Sequence, residues 1–252
     1  MGLIYAVANQ KGGVGKTTTT VNLAAALADL GQKTLLIDLD QQCNATVALG
    51  LDRNGRPSAY EVLSGEATVA GAARRTTKEN LWIVPASRDL AGSAVELPQL
   101  ERANFRLREQ LGPVKEQFDA VLMDCPPALG SVTVNALVAA DRVIVPVQAE
   151  YLALEGLAEF RETMATVQRE LNPDLQLAGI LVTMHDERTR LAQDVERDLR
   201  DHFQEDVYRN VIPRTVRLAE APSYGIPVTD YAPSSRGAGA YIALANEVQS
   251  RG

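Results

Sequence analysis
The 252-residue sequence predicts an α/β fold, a mostly parallel sheet with helices on both faces, in one domain over 1–252. Three observations carry this reading. Short apolar runs recur without the polar alternation of a half-solvated strand, which is the pattern of strands buried on both faces. Segments with apolar residues at helical spacing separate those runs. No repeat, low-complexity tract or linker interrupts the alternation.

Leu3 to Asn9 is the first β-prone run, and Thr17 to Leu30 the first helical segment, with Gly31 as its stop. The second strand is Lys33 to Asp38 (KTLLID). Further strands are expected at Leu81 to Pro85, Ala120 to Met123, Arg142 to Val147, Leu177 to Thr183 and Val207 to Ile212. Helices are expected at Ser58 to Ser64, Glu101 to Leu111, Val132 to Ala139, Leu154 to Leu171, Leu191 to Phe203 and Ala238 to Gln249. The Gly/Pro/Ser-rich stretch from Pro222 to Gly239 reads as a surface crossing before the last helix.

Composition narrows the function classes. A net charge of -7 argues against a generally basic nucleic-acid binder, so any anion-binding surface must be local. Two cysteines, Cys43 and Cys125, make neither a disulfide framework nor a four-ligand zinc site, and read as reduced thiols of a cytoplasmic protein. The N-terminal residues show no signal-peptide pattern, and no uncharged apolar stretch approaches a membrane span.

Residues 11 to 17, KGGVGKT, lie between the first strand and the first helix. A glycine-rich turn there lets successive backbone N–H groups, at Gly12, Gly13, Val14 and Gly15, point at phosphate oxygens, and the helix N-terminus adds partial positive charge. Lys16 would reach the outer phosphates and the Thr17 hydroxyl would ligate magnesium. The usual first glycine of G-x-x-x-x-G-K-[ST] is Gln10 here, and a second lysine, Lys11, opens the loop. Asp38 and Asp40 end the second strand on one face, where ligand sites of open α/β sheets lie, although helix capping or solvation would also explain them. Asp124 ends AVLMD, the usual place for an acid that holds magnesium through water. No N-K-x-D string occurs, so ATP is preferred over GTP.

KGGVGKTTTTVNLAAALA resembles the deviant P-loop of the ParA/MinD family, and within it the ParA (Soj) branch. LLIDLDQQCNAT, VLMDCPP, TMHDERTRLAQDV and IPRTVRLAEAPSYGIPV support that branch over essentially the whole chain. The resemblance implies a P-loop NTPase that binds ATP and Mg2+ through Lys11 to Thr18, with Lys11 crossing a dimer interface to the partner's nucleotide. A second cation at the phosphates would stabilise transition-state charge, and supplying it in trans makes ATP the glue of a homodimer. It further implies that Asp40 orients the attacking water, that Asp38 supports the magnesium shell beside Thr17 and Asp124, and that Pro213 and Arg214 lie near the adenine. Non-specific DNA, a ParB (Spo0J)-type centromere-binding partner and a nucleoid location come with the branch. The family's D-P-Q-G-N holds Gln41 and Cys43 at two positions here, and Cys43 would be strained if the glycine it replaces takes positive φ.

Seven arginines lie between Arg188 and Arg217, with acids interleaved. Arg190–Asp194, Glu196–Arg200 and Arg197–Asp201 are i,i+4 pairs that a solvated helix face explains. Arg188 and Arg217 fall outside those pairs and match positions the resemblance ties to DNA binding. No helix-turn-helix precedes the loop, and His185 and His202 read as structural or surface residues. A MinD-like membrane ATPase would need a basic amphipathic C-terminal helix, but Arg251 is the only late cation of GAGAYIALANEVQSRG. An iron–sulfur reductase would need cluster thiolates, yet both cysteines sit inside nucleotide motifs. A P-loop ligase or synthetase is a further alternative.

Overall fold
A computed structural model describes residues 2–150 and 153–251, so Met1 and Gly252 of the expected domain lie outside it. Its strands are β1 (Leu3–Val7), β2 (Thr34–Asp38), β3 (Arg74–Arg75), β4 (Leu81–Val84), β5 (Ala120–Asp124), β6 (Arg142–Gln148) and β7 (Gln176–Thr183). They form a seven-stranded sheet in the order β3-β4-β2-β5-β1-β6-β7. Every pairing is parallel except β3 on β4 at the edge. The helices are α1 (Lys16–Asp29), α2 (Asn44–Ala48), α3 (Ala59–Ser64), α4 (Val69–Ala72), α5 (Ser93–Glu96), α6 (Arg106–Leu111), α7 (Ser131–Ala139), α8 (Ala153–Glu170), α9 (Arg190–Phe203), α10 (Val216–Glu220), α11 (Val228–Tyr231) and α12 (Arg236–Arg251).

The sheet separates two apolar cores, and the pleat explains how one unbroken run feeds both. Leu35 and Ile37 of β2 enter the core that holds Leu137 and Phe160, while Leu36 between them enters the core that holds Leu23 and Leu244. Truncating any of these buried leucines to Ala removes packing worth about 2–5 kcal/mol. Helix α1 is buried on nearly all sides, which its alanine-rich run LAAALA permits at close quarters, and Gly31 ends it at φ 83°.

Three readings of the sequence need correction. Val207 to Ile212 forms no strand: it touches β7 through an isolated bridge and two amide bonds, Tyr208 to the Ile180 carbonyl and Ile212 to the Val182 carbonyl. The reason is Glu247 of α12, whose carboxylate takes the amides of Arg209 and Asn210, while Arg251 takes the Val207 carbonyl. The helix expected from Glu101 begins only at Arg106, after a turn in which Arg102 adopts φ 54°. The stretch from Pro222 to Gly239 is not a loose crossing: a 3-10 turn (Ala221–Tyr224) and α11 run through it with Val228 fully buried, and α12 already starts at Arg236. The edge strand β3 and the short helices α2, α4, α5, α10 and α11 are additions to the expected elements.

Candidate functional site
The carboxyl ends of β1, β2 and β5 meet at one edge of the sheet, and register fixes what converges there. Val7, the last residue of β1, pairs with Asp124, and Asp124 pairs with Asp38 on its other side. The loop from Asn9 to Gly15 leaves β1 directly above them. Asn9 is buried and braces the loop, donating to the Pro146 carbonyl at 2.8 Å and accepting from the Lys11 amide at 3.0 Å. Gly13 and Gly15 take φ 75° and 87°, values that a side chain adopts only at a cost, so the loop's curvature depends on glycine there. Thr183 at the end of β7 donates to the Val14 carbonyl at 2.8 Å and fixes the loop from the far side.

Lys16 is 7% exposed and its ammonium caps the loop's own backbone, donating to the Lys11 carbonyl at 2.9 Å. Burial lowers its pKa, opposed by the nearby carboxylates of Asp124 and Asp40. Thr17 and Thr18 begin α1 beside it. Lys11 is one-third exposed and ion-pairs with Glu150 at 3.4 Å.

Two carboxylates are fully buried here. Burial, then the neighbouring charge of Asp38, pushes Asp124 well above the usual carboxylate range, with the Thr17 and Thr20 hydroxyls opposing it. Thr20 donates to Asp124 Oδ1 at 3.1 Å, but Asp124 Oδ2 has no hydrogen-bond partner. Burial also raises Asp38, to about 6, against bonds from the Thr46 hydroxyl at 2.7 Å and the Thr46 and Asp40 amides at 2.8 and 3.1 Å. A buried carboxylate oxygen left without a donor, next to a second buried carboxylate, suits a cation. No group of three or more His, Cys, Asp or Glu side chains able to hold a metal exists among the described residues, so the remaining ligands would have to come with the substrate. Asp40 is 8% exposed and folds over its own turn, accepting from the Gln42 amide at 2.9 Å.

Cys43 does take the left-handed conformation, φ 56° and ψ 32°, where the family pattern has glycine. Its thiol is buried and pushed up to about 11 by burial and by Asp38, and burial pushes Cys125 higher still. Neither is poised as a nucleophile.

A pocket of about 440 Å³ opens beside the loop, lined by Gly13, Gly15, Thr18, Met184, Pro213 and Arg214 among others. Met184 stands at φ 50°, and the turn it makes lets His185 bond both the Ile212 carbonyl and the Arg214 amide, which sets Pro213 and Arg214 along the pocket. A larger cavity, about 870 Å³, opens around Trp82 and Phe118 at the opposite ends of the strands, away from the loop.

Sequence reasoning missed Asn9, Thr20, Thr46, Thr183, Met184 and Tyr241. The run TTTT after Lys16 held part of the signal, since Thr17 and Thr20 share a helix face and both act on Asp124, while Thr19 meets the Tyr241 hydroxyl at 3.3 Å. Arg188 and Arg217 lie together with neither site carboxylate, and neither is free of a partner. Arg188, 85% exposed, makes a two-pronged pair with Asp186 at 2.9 and 2.7 Å, and Arg217, 57% exposed, pairs with Glu220 at 2.8 Å. Of the three expected i,i+4 pairs, Glu196–Arg200 forms, while Arg197 turns to Asp194 instead of Asp201. His185 is buried with Nε2 2.9 Å from Glu196, whereas His202 lies at the surface.

Comparison with known proteins places this geometry. The AAA domain family matches residues 2–177. The chain is 48% identical to the sporulation initiation inhibitor protein Soj of Bacillus subtilis, over the full length of both. It is 52% identical to the chromosome-partitioning ATPase Soj of Thermus thermophilus, covering 98% of this chain and 95% of that one. Among solved structures, a cobyrinic acid a,c-diamide synthase from Mycobacterium smegmatis with bound ATP analogue and magnesium superposes with a TM-score of 0.86 at 40% identity, covering 98% and 93% of the two chains. The cell division ATPase MinD of Pyrococcus furiosus superposes at 0.80 with 28% identity over the whole of both chains.

Proposed function
The chain belongs to the AAA domain family and, within it, to the Soj/ParA chromosome-partitioning ATPases, and from that premise we propose that it is an ATP-driven DNA-partitioning switch. The single observation that carries the reading is the set of charges buried under the loop: Lys16, Asp38 and Asp124, with Asp124 Oδ2 lacking a partner. Burying these groups is costly unless a ligand completes them.

In this reading the amides of Gly12 to Thr17 and the Lys16 ammonium hold the outer phosphates of ATP, and the base enters the pocket beside Pro213 and Arg214. Thr17, Asp38 and Asp124 would hold a magnesium carried by the phosphates, which neutralises charge on them when bound. Asp40 orients a water in line with the terminal phosphate. The water's oxygen bonds phosphorus, the bond to the bridging oxygen breaks, and ADP and phosphate leave. Lys11 leaves Glu150 and reaches the nucleotide of a second copy, so ATP joins two chains and their arginine faces add. Arg188 and Arg217 then contact DNA phosphates without reading sequence. A centromere-binding partner of the ParB type stimulates hydrolysis and releases the pair. The place of work is the cytoplasm, at the nucleoid.

Two competing readings have less support. A membrane-seeking ATPase needs a free amphipathic helix, but α12 spends Tyr241, Leu244 and Val248 against the core around α1. Amide synthesis that takes its nitrogen from an amide donor through a cysteine nucleophile is disfavoured, because both thiols are buried with raised pKa. Co-sedimentation with DNA and with anionic liposomes, each in ATP, ADP and no nucleotide, tests the proposal. Pelleting with DNA in ATP alone is expected, and pelleting with liposomes in its place would overturn it.

A further inference from the structure
The segment EAPSYGIPV, Glu220 to Val228, lines no part of the pocket beside Pro213 and Arg214, yet the chain fastens it at several points. It continues α10, the helix of Arg217, through the 3-10 turn, which Gly225 closes at φ 68°. Gly225 lies on Gly50, the residue that closes α2 at φ 76°. A Cβ on Gly225 would stand 2.8 Å from the Gly50 Cα, and a Cβ on Gly50 would stand 3.1 Å from the Gly225 carbonyl oxygen. Two backbones therefore cross with no side chain between them. A side-chain contact can absorb a shift by changing rotamer, whereas a backbone contact has no such slack.

Each partner of this crossing is tied to a working element. On one side, Asp38 holds α2 through the Thr46 amide and hydroxyl, and Thr46 Oγ1 also accepts the Ala86 amide at 2.9 Å. On the other side, Glu220 accepts from Arg217 at 2.8 Å and from the Tyr231 hydroxyl at 3.2 Å, so one carboxylate ties Arg217 to α11, the helix that follows the segment. Asn22 completes the frame, accepting the Val228 amide at 2.7 Å while donating to the Thr18 carbonyl at 2.8 Å. Between these anchor points is a cavity of about 280 Å³ lined in part by Thr17, Thr18, Asn44, Arg53, Pro222 and Ile226. Anchors at both ends and open space between them give α2 and the segment room for a second packing, which a two-state element requires.

We propose that the crossing of Gly50 on Gly225 is the joint through which the nucleotide state of the Asp38 loop reaches the helix of Arg217. The inference rests on the partitioning reading for its output, DNA binding, and on the geometry alone for its joint. When Asp38 gains a ligand, α2 shifts against Gly225, the segment follows, and Glu220 changes its hold on Arg217, freeing the guanidinium for a phosphate.

The test compares Gly225→Ala and Gly50→Ala with Gly31→Ala, a control at φ 83° where a Cβ meets nothing within 4 Å. The readout is the ratio of DNA dissociation constants in ADP and in ATP. Gly225→Ala should keep ATP affinity within about threefold of the parent while that ratio falls at least about tenfold, and Gly31→Ala should leave the ratio unchanged. A folded Gly225→Ala with the parental ratio overturns the joint; should that variant not fold, the milder contact of Gly50→Ala decides. A second arm uses the unmodified protein without DNA. Amides of residues 220–228 should exchange hydrogen at least about fivefold more slowly in ATP than in ADP, and equal exchange overturns the joint. If the parent binds DNA equally in both nucleotides, the partitioning reading fails, and the exchange arm still decides the joint.

Discussion
The loop site and the arginine face carry charge in opposite ways. Lys16, Asp38, Asp40 and Asp124 are buried against one another, with raised carboxyl pKa at Asp38 and Asp124 and an orphan oxygen. Arg188, Arg197 and Arg217 stand well exposed, each already paired with a neighbouring carboxylate. Buried charge is expensive and stays only where something repays it, so it marks the site strongly. Exposed ion pairs are each worth about 0–1 kcal/mol, so the proposed exchange of a carboxylate for a DNA phosphate would cost little. On the proposed reading, the first region would take one ligand in one geometry, and the second many weak, interchangeable contacts.

Breaking the first region should have the largest effect. Lys16→Ala removes a buried cation that the proposed site sets against the phosphates, and should weaken ATP binding at least about 100-fold by calorimetry. Affinity at the parental level would detach the site from the loop. Next, Asp40→Ala should still bind ATP but lose about 100-fold in kcat, leaving a lasting dimer on gel filtration in ATP. A monomer with normal turnover would move the role to another group. Lys11→Ala sharpens the contrast between two lysines of one loop: ATP affinity should hold within about threefold, while the dimer weakens at least about tenfold. Equal loss of nucleotide binding in both lysine variants would confine Lys11 to its own site.

The smallest effect concerns Cys43. Its left-handed backbone suits glycine, but its buried thiol fills space, so Cys43→Gly should change stability by less than about 1 kcal/mol. Cys43→Val puts a branched side chain into the same φ and should cost about 2 kcal/mol or more, read from denaturant midpoints. Similar midpoints for the two variants would show that this turn relaxes freely.

Legibility in the sequence followed the same division. Strands such as TLLID and VLMD were readable because burial on both faces leaves an unbroken apolar run. Val207 to Ile212 looked alike and failed because Glu247, far along the chain, takes the amides that a strand would have used. Helices of four or five residues are too short to show a period, so α2 and α10 were invisible although both flank the candidate site. The loop itself was legible from spacing, since glycines, lysines and threonines act there through local backbone. Thr46, Thr183 and Tyr241 were not, because each reaches its place only through tertiary packing. Arg188 lies outside the i,i+4 pairs, but a loop residue two positions away, Asp186, holds it by geometry that helix rules do not contain.

In the proposed switch the buried site governs the exposed one. The most direct measurement is DNA affinity against salt concentration, in ATP and in ADP, for the parent protein and for Arg217→Ala. In ATP the parent should bind at least about tenfold more tightly than in ADP, with a log–log slope near -0.9 per phosphate contacted, and Arg217→Ala should flatten that slope by about one contact. Equal affinity in both nucleotides, or an unchanged slope in the variant, would contradict it.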